Sequence, residues 1–172
     1  MPARAATAFP DPRHDHAPCV AETLDRAEKI FKINGLNLTP LRRQVLQEVA
    51  GSHTAIGAYD VLERLAQKGG RRLAPISVYR ALDSLVAAGM VHRLESRNAF
   101  FACHVSHAGE PHADGRRQIV LSCERCSAVA EVPADTVFAG IGVAAAASGF
   151  TTTRALVEVI GVCGRCQAGV AA

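Results

Sequence analysis

The chain has 172 residues, a formal net charge of +3, six cysteines and no tryptophan. That length allows one domain or two small ones, and two small ones would gain from a metal staple because each core is thin. No run approaches the roughly 18 uninterrupted apolar residues of a membrane helix, and no secretory apolar region stands among Pro2, Pro10, Pro12 and Pro18. A cytoplasmic protein with no membrane partner is therefore expected, and in that compartment paired cysteines hold metal more often than they form disulfides.

The charge is uneven. Residues 1–104 carry 14 Lys/Arg against 10 Asp/Glu, and residues 105–172 carry 5 against 6. A basic front half suits nucleic acid, although a difference this small is also what ordinary solvated surface produces. Residues 1–18 are rich in Ala, Pro and polar residues and read as a disordered tail. Its His14-Asp15-His16 can touch a metal, but a flexible tail is the plainer reading.

Residues 19–104 predict four helices and a hairpin. Val20, Leu24, Ala27 and Phe31 recur at helical spacing until Asn34-Gly35. Thr39 followed by Pro40 predicts an N-cap with Pro at the first helical position, and Leu41, Val45, Leu46 and Val49 form the stripe behind it. A third helix runs from about Ala58 to Lys68 and breaks at Gly69-Gly70. A fourth starts near Pro75, with Val78, Ala81, Leu82, Leu85 and Val86 inward, and ends at Gly89. The period then changes to two. Met90–Leu94 and Ala99–His104 predict strands around the polar turn Glu95–Asn98. Helices followed by such a hairpin describe a winged helix-turn-helix. Residues 105–117, rich in His, Gly and charge, read as a hinge. Residues 118–172 predict the strands Gln118–Ser122 and Ala128–Val132, a helix over Ala134–Ser148 weakened by Gly140 and Gly142, and a strand or strand pair over Phe150–Val162. The fold class is α+β: a winged helix followed by a small α/β domain.

The firmest chemical signal is Cys123-x-x-Cys126 and Cys163-x-x-Cys166, with 36 residues between the pairs. Two thiolates on a tight turn can bind one ion at about 2.3 Å each, and two such turns complete a tetrahedron. Four thiolates leave no open position, so this zinc site would be structural. Two disulfides or buried free thiols are the alternatives. A second set is His92, Cys103, His112 and Glu131, with His107 as a possible substitute. If the wing turn has an even number of residues, His92 faces Phe101 and Cys103 is a diagonal neighbour on the same face, within reach of a shared ion. Each member alone is more often a packed or surface residue. A third set lies on the fourth helix, whose outer face carries Ser77, Tyr79 and Arg80 in its first turns, where recognition helices reach base edges. Arg80 can read guanine bidentately, and Tyr79 can touch a phosphate or a thymine methyl. Arg42, Arg43, Arg71, Arg72, Arg93 and Arg97 can supply phosphate contacts. A solvated helix face is the bland alternative.

Together the stretches Leu38-Thr39-Pro40-Leu41-Arg42, Ala58-Tyr59-Asp60-Val61-Leu62, Ser77-Val78-Tyr79-Arg80-Ala81-Leu82, Val91-His92-Arg93-Leu94-Glu95-Ser96, Cys103-His104 and both cysteine pairs resemble the ferric uptake regulator family, and its zinc uptake regulator branch most closely. The resemblance covers about residues 20–168. It implies that the rear domain dimerises and that the cysteine quartet is structural. It also implies a regulatory zinc at the hinge on His92, Cys103, His112 and Glu131, and DNA contacts from Tyr59 and Arg80. Two zinc ions per subunit follow, one structural and one regulatory. The stretch His104–Arg117 looks longer than in similar proteins, which leaves His107 and His112 as competing ligands. No His occurs after His112, unlike the pattern of iron- and peroxide-sensing relatives, and Cys103 is a soft ligand that favours zinc over ferrous iron.

The expected function is a homodimeric, zinc-responsive repressor of zinc-uptake genes on a pseudo-palindromic, AT-rich double-stranded operator. The rival within the class is a regulator sensing iron, manganese or peroxide. The rival from another class, a zinc or thiol enzyme, needs an open coordination position with water and a general base. A filled His92 site offers none, and a Cys-His nucleophile pair has no clear orienting partner. A zinc-stapled partner-binding module without DNA affinity is a further alternative.

Overall fold

A computed structural model describes residue 9 and residues 15–68, 73–103, 118–153 and 155–169. The chain forms two compact units, one of residues 11–111 and one of residues 112–172 together with 1–10. His104, His107, His112, most of the predicted tail and the whole predicted hinge lie outside the described residues.

The first unit begins with α1 (Ala17–Ile33). Asp15 Oδ1 accepts the Ala17 N–H at 2.9 Å, and Pro18 sits in the first turn, where a missing N–H costs nothing. Thr23, Leu24, Ala27 and Phe31 are its buried stripe. Gly35, at φ +64°, closes the helix, and the Leu36 N–H returns to the Phe31 carbonyl at 2.8 Å. α2 (Pro40–Ala50) starts as the Thr-Pro pair predicts: the Thr39 side chain accepts the Arg42 N–H. β1 (Ile56–Gly57) leads into α3 (Ala58–Gln67), where Asp60 Oδ2 accepts the Gly57 N–H at 3.2 Å. α4 (Pro75–Ala87) buries Val78, Ala81, Leu82 and Leu85. Gly89, at φ +68°, then turns the chain into the wing.

The wing is β2 (Val91–Leu94), a single 3₁₀ turn at Glu95–Arg97, and β3 (Ala99–Ala102). Asn98 takes the left-handed conformation that ends the turn. His92 pairs with Phe101, as an even turn requires. β1 adds to the other side of β3, giving the order β1-β3-β2. Two residues carry too little pattern to announce such a strand, and it was not expected. The core unites α1–α4 with the wing. Leu46, Leu82, Leu85, Phe31 and Phe100 are almost fully buried, and each large apolar side chain so buried stabilises by roughly 1.5–3 kcal/mol. Glu48 is buried in α2, and Lys68 reaches it at 2.6 Å from the end of α3.

The second unit is a three-stranded sheet of order β5-β4-β6. β4 (Gln118–Cys123) pairs antiparallel with β5 (Val129–Pro133) and parallel with β6 (Glu158–Gly161). α5 (Asp135–Ala147) runs through Gly140 and Gly142 without a break. The strand expected over Phe150–Val162 is confined to Glu158–Gly161, because β4 offers β6 only the edge Val120–Cys123. A one-turn helix, α6 (Gly164–Gln167), follows Cys163. No helix among the described residues is long and apolar enough to cross a membrane.

Candidate metal centres

The parallel pairing of β4 with β6 sets Cys123 opposite Gly161, so both cysteine pairs leave the same end of the sheet. After Cys123 the chain makes a tight knuckle. The Ser127 N–H bonds the Cys123 carbonyl at 3.0 Å, the Cys123 N–H bonds the Ala128 carbonyl at 2.9 Å, and Ser127 itself is left-handed at φ +58°. The Glu124 N–H crosses to the Gly161 carbonyl at 2.8 Å and joins the two knuckles. The four sulfurs of Cys123, Cys126, Cys163 and Cys166 lie within 4.8 Å of one another. Cys126 Sγ and Cys163 Sγ are 3.7 Å apart. Four sulfurs at about 2.3 Å from a tetrahedral zinc are spaced by about 3.8 Å, so the quartet is already at coordination spacing. A disulfide needs sulfurs at about 2.0 Å, and all four cysteines are free.

The electrostatics of the quartet ask for a cation. Burial pushes the Cys123 thiol up, but hydrogen bonds from the Cys163, Cys126 and Arg125 backbones more than offset it and bring it to about 6. Cys163 is lowered against the same burial by the Cys166 backbone and side chain. Burial raises Cys126, and burial with the neighbouring sulfurs pushes Cys166 up to about 12. Lowered and raised thiols thus face one another, and a bound zinc would stabilise all four as thiolates. Arg125 donates to the Cys166 carbonyl at 3.1 Å. Its place inside the first Cys-x-x-Cys was the only hint of that role. Phe9 packs against the quartet, and nothing in the local sequence announced it.

The second set divides between the units. His92 on β2 lies against Phe101, ring centroids 5.4 Å apart. Cys103 is buried just beyond β3, and its N–H bonds the Met90 carbonyl at 3.1 Å. Its own carbonyl accepts from the Arg26 guanidinium. The ligand atoms of His92 and Cys103 come within 4.8 Å of each other, close enough to share an ion. Glu131, half-buried, stands on β5 opposite Val120 in the second unit.

On α4, Arg80 is exposed and Ser77 and Tyr79 are half-buried. Tyr59, from the first turn of α3, is 66% exposed and meets Tyr79 edge to face at 6.3 Å. Tyr59, Ser77, Tyr79 and Arg80 thus belong to adjoining helix starts. Arg42 is differently placed. Its Nη1 donates to the Asn37 carbonyl at 2.6 Å and its guanidinium stands 5.9 Å from the Phe31 ring centre, so it braces the turn between α1 and α2. Arg43 pairs with Glu28. Arg93 is held by Glu95 at 3.2 Å and Asn98 at 2.7 Å. Arg71 and Arg72 lie outside the described residues.

The second unit also leaves several large apolar side chains exposed. α5 buries none of its residues, and Val137, Val143, Phe150, Leu156, Val159 and Ile160 are all exposed.

The ferric uptake regulator family model matches residues 33–160. The zinc uptake regulation protein of Escherichia coli (strain K12) is 36% identical over 145 residues, which span 84% of this chain and 81% of that protein. Among solved structures, a zinc uptake regulator complexed with zinc and DNA is similar with a TM-score of 0.78 at 35% identity, covering 87% of this chain and 96% of the other. Holo XcZur is similar with a TM-score of 0.73 at 35% identity, covering 86% and 98%.

Proposed function

We propose that this chain, which belongs to the ferric uptake regulator family, is a zinc-responsive, DNA-binding transcriptional repressor of zinc-uptake genes that acts as a homodimer. The observation that carries the zinc reading is the buried Cys103 thiol beside the His92 imidazole on the wing, because a thiolate–imidazole pair selects zinc over hard cations. The likeness to a zinc uptake regulator bound to zinc and DNA supports the same reading.

Two zinc ions per subunit fit the donors. The cysteine quartet would hold the structural ion. His92 and Cys103, with Glu131 and either His112 or His107, would hold the regulatory one. Bound there, zinc supplies a cross-link among side chains that are far apart in sequence. Its influence extends only as far as it favours the DNA-binding arrangement over others. Tyr59, Ser77, Tyr79 and Arg80 form the reading surface, and Arg80 is the residue for a guanine edge. The exposed apolar side chains of α5, which buries none of its residues, support dimerisation, since an unburied apolar helix suits an interaction site. A two-fold dimer reads a pseudo-palindrome, here expected to be AT-rich double-stranded DNA.

A mobility shift on operator DNA at buffered free metal tests this. Wild-type protein is expected to bind when zinc is supplied, and Cys103→Ala to lose the zinc response while keeping its helical signal. Activation by ferrous or manganous ion but not by zinc at matched free concentration would sink the zinc assignment.

A further inference from the structure

His16, Cys19 and His53 lie in the first unit, apart from both metal centres above. His16 stands at the start of α1, and His53 lies in the loop between α2 and β1. Their rings meet with centroids 4.8 Å apart at a tilt of 50°, and His53 is only 8% exposed. Two imidazoles on one tetrahedral ion, each bonded at about 2.0–2.1 Å, have ring centres about 5 Å apart. The observed pair has that spacing, and its tilt is unlike a parallel stack.

Cys19 is the natural third ligand. The His16 carbonyl accepts the Val20 N–H at 2.9 Å, so His16 is already in helical register. Residues three apart then share a helix face, with Cβ atoms about 5–6 Å apart. Cys19 is half-buried and in no disulfide. Both ligand-bearing segments are fixed by their own hydrogen bonds. Asp15 Oδ1 holds the Ala17 N–H at 2.9 Å. Ser52 Oγ lies 2.7 Å from Thr54 Oγ1 and accepts the Thr54 N–H at 3.1 Å on either side of His53.

We propose that His16, Cys19 and His53 form a third metal site, for a zinc-class divalent cation, that fastens the first turn of α1 to the loop after α2. Two imidazoles and a thiolate are borderline-soft donors suited to zinc. The three donors are not drawn together as the cysteine quartet is, so binding must bring their ligand atoms closer. Its fourth position is open to water.

Cobalt is the probe, because a cobalt–thiolate bond gives a charge-transfer band and zinc gives none. Full-length Cys103→Ala protein is titrated with Co²⁺ after one zinc per subunit has been confirmed by elemental analysis. With Cys103 absent and the quartet's one zinc per subunit shown to be retained at the end of the titration, any new thiolate band belongs to Cys19. One further equivalent with such a band is expected. Adding Cys19→Ser should abolish the band, and adding His16→Gln should weaken Co²⁺ binding at least tenfold, both with unchanged circular dichroism. No band in the Cys103→Ala protein, a band that survives Cys19→Ser, or affinity untouched by His16→Gln overturns the proposal. Because Cys103 is already removed, these outcomes are independent of the regulatory site.

Discussion

The two units hold themselves together by different means. The first has a continuous core drawn from all four helices and the wing, with Val45, Leu46, Val49, Leu82, Leu85 and Met90 sealed from water. The second gathers Ala128 and Phe9 around its quartet and leaves α5 without one buried residue. Burial stabilises the first unit on its own, whereas the second has little buried apolar surface beyond its cysteine quartet and would gain from the zinc proposed there and from a partner surface. A domain of about 60 residues is marginal on burial alone, and here even the available helix faces outward.

The contrast is most sharply broken at the quartet. Cys126→Ser, or zinc removal by a strong chelator, should unfold the second unit, since structural zinc contributes about 10–16 kcal/mol in small zinc domains. Circular dichroism should retain the helical signal of α1–α4, and sedimentation should show loss of the dimer. Simultaneous collapse of both units would show that they are not independently stabilised.

In the first unit, Leu82→Ala should cost about 2–5 kcal/mol, read as a lower urea midpoint, with the zinc content of the quartet unchanged. On the outer face of α5, Val143→Asp should leave monomer stability nearly untouched, because Val143 is 72% exposed. It should raise the dimer dissociation constant at least tenfold, equivalent to about 1.4 kcal/mol, measured by analytical ultracentrifugation. Unaltered association would place the interface on another face. The smallest effect is expected from Thr39→Ala. It removes the cap on the Arg42 N–H and should cost about 0.5–1 kcal/mol, seen as a modest shift of the first unit's melting only.

The sequence was most legible where local chemistry and tertiary packing ask for the same thing. Thr39-Pro40 starts α2 by capping, and the even wing turn fixes His92 opposite Phe101. The cysteine pairs meet because β4 and β6 align them. Legibility failed where the answer depends on a distant partner. Nothing in Ile56-Gly57 announces a strand, since its only reason to be one is the free edge of β3. The Thr- and Val-rich segment from Phe150 has β propensity over more residues than β4 can pair. Gly140 and Gly142 weakened the helix signal, yet α5 continues through both. The charge of Arg42 is visible in the sequence, whereas the Asn37 carbonyl that engages it is not. Of the proposed regulatory ligands, the closeness of His92 and Cys103 was legible through strand alternation, while His107 and His112 lie outside the described residues.

The parallel pairing of β4 with β6 also sets an order of events as the chain is made. A parallel pair needs a crossover, and here 36 residues separate the cysteine pairs. At about 5–20 residues per second, the Cys123–Cys126 knuckle waits roughly 2–7 s for Cys163 and Cys166 to be synthesised. By then the first unit, whose contacts are complete without them, is free to have folded. With zinc as the proposed occupant of the quartet, a cell short of it would hold chains with a finished first unit and an open clasp, and the metal would govern whether the second half of the molecule is ever completed.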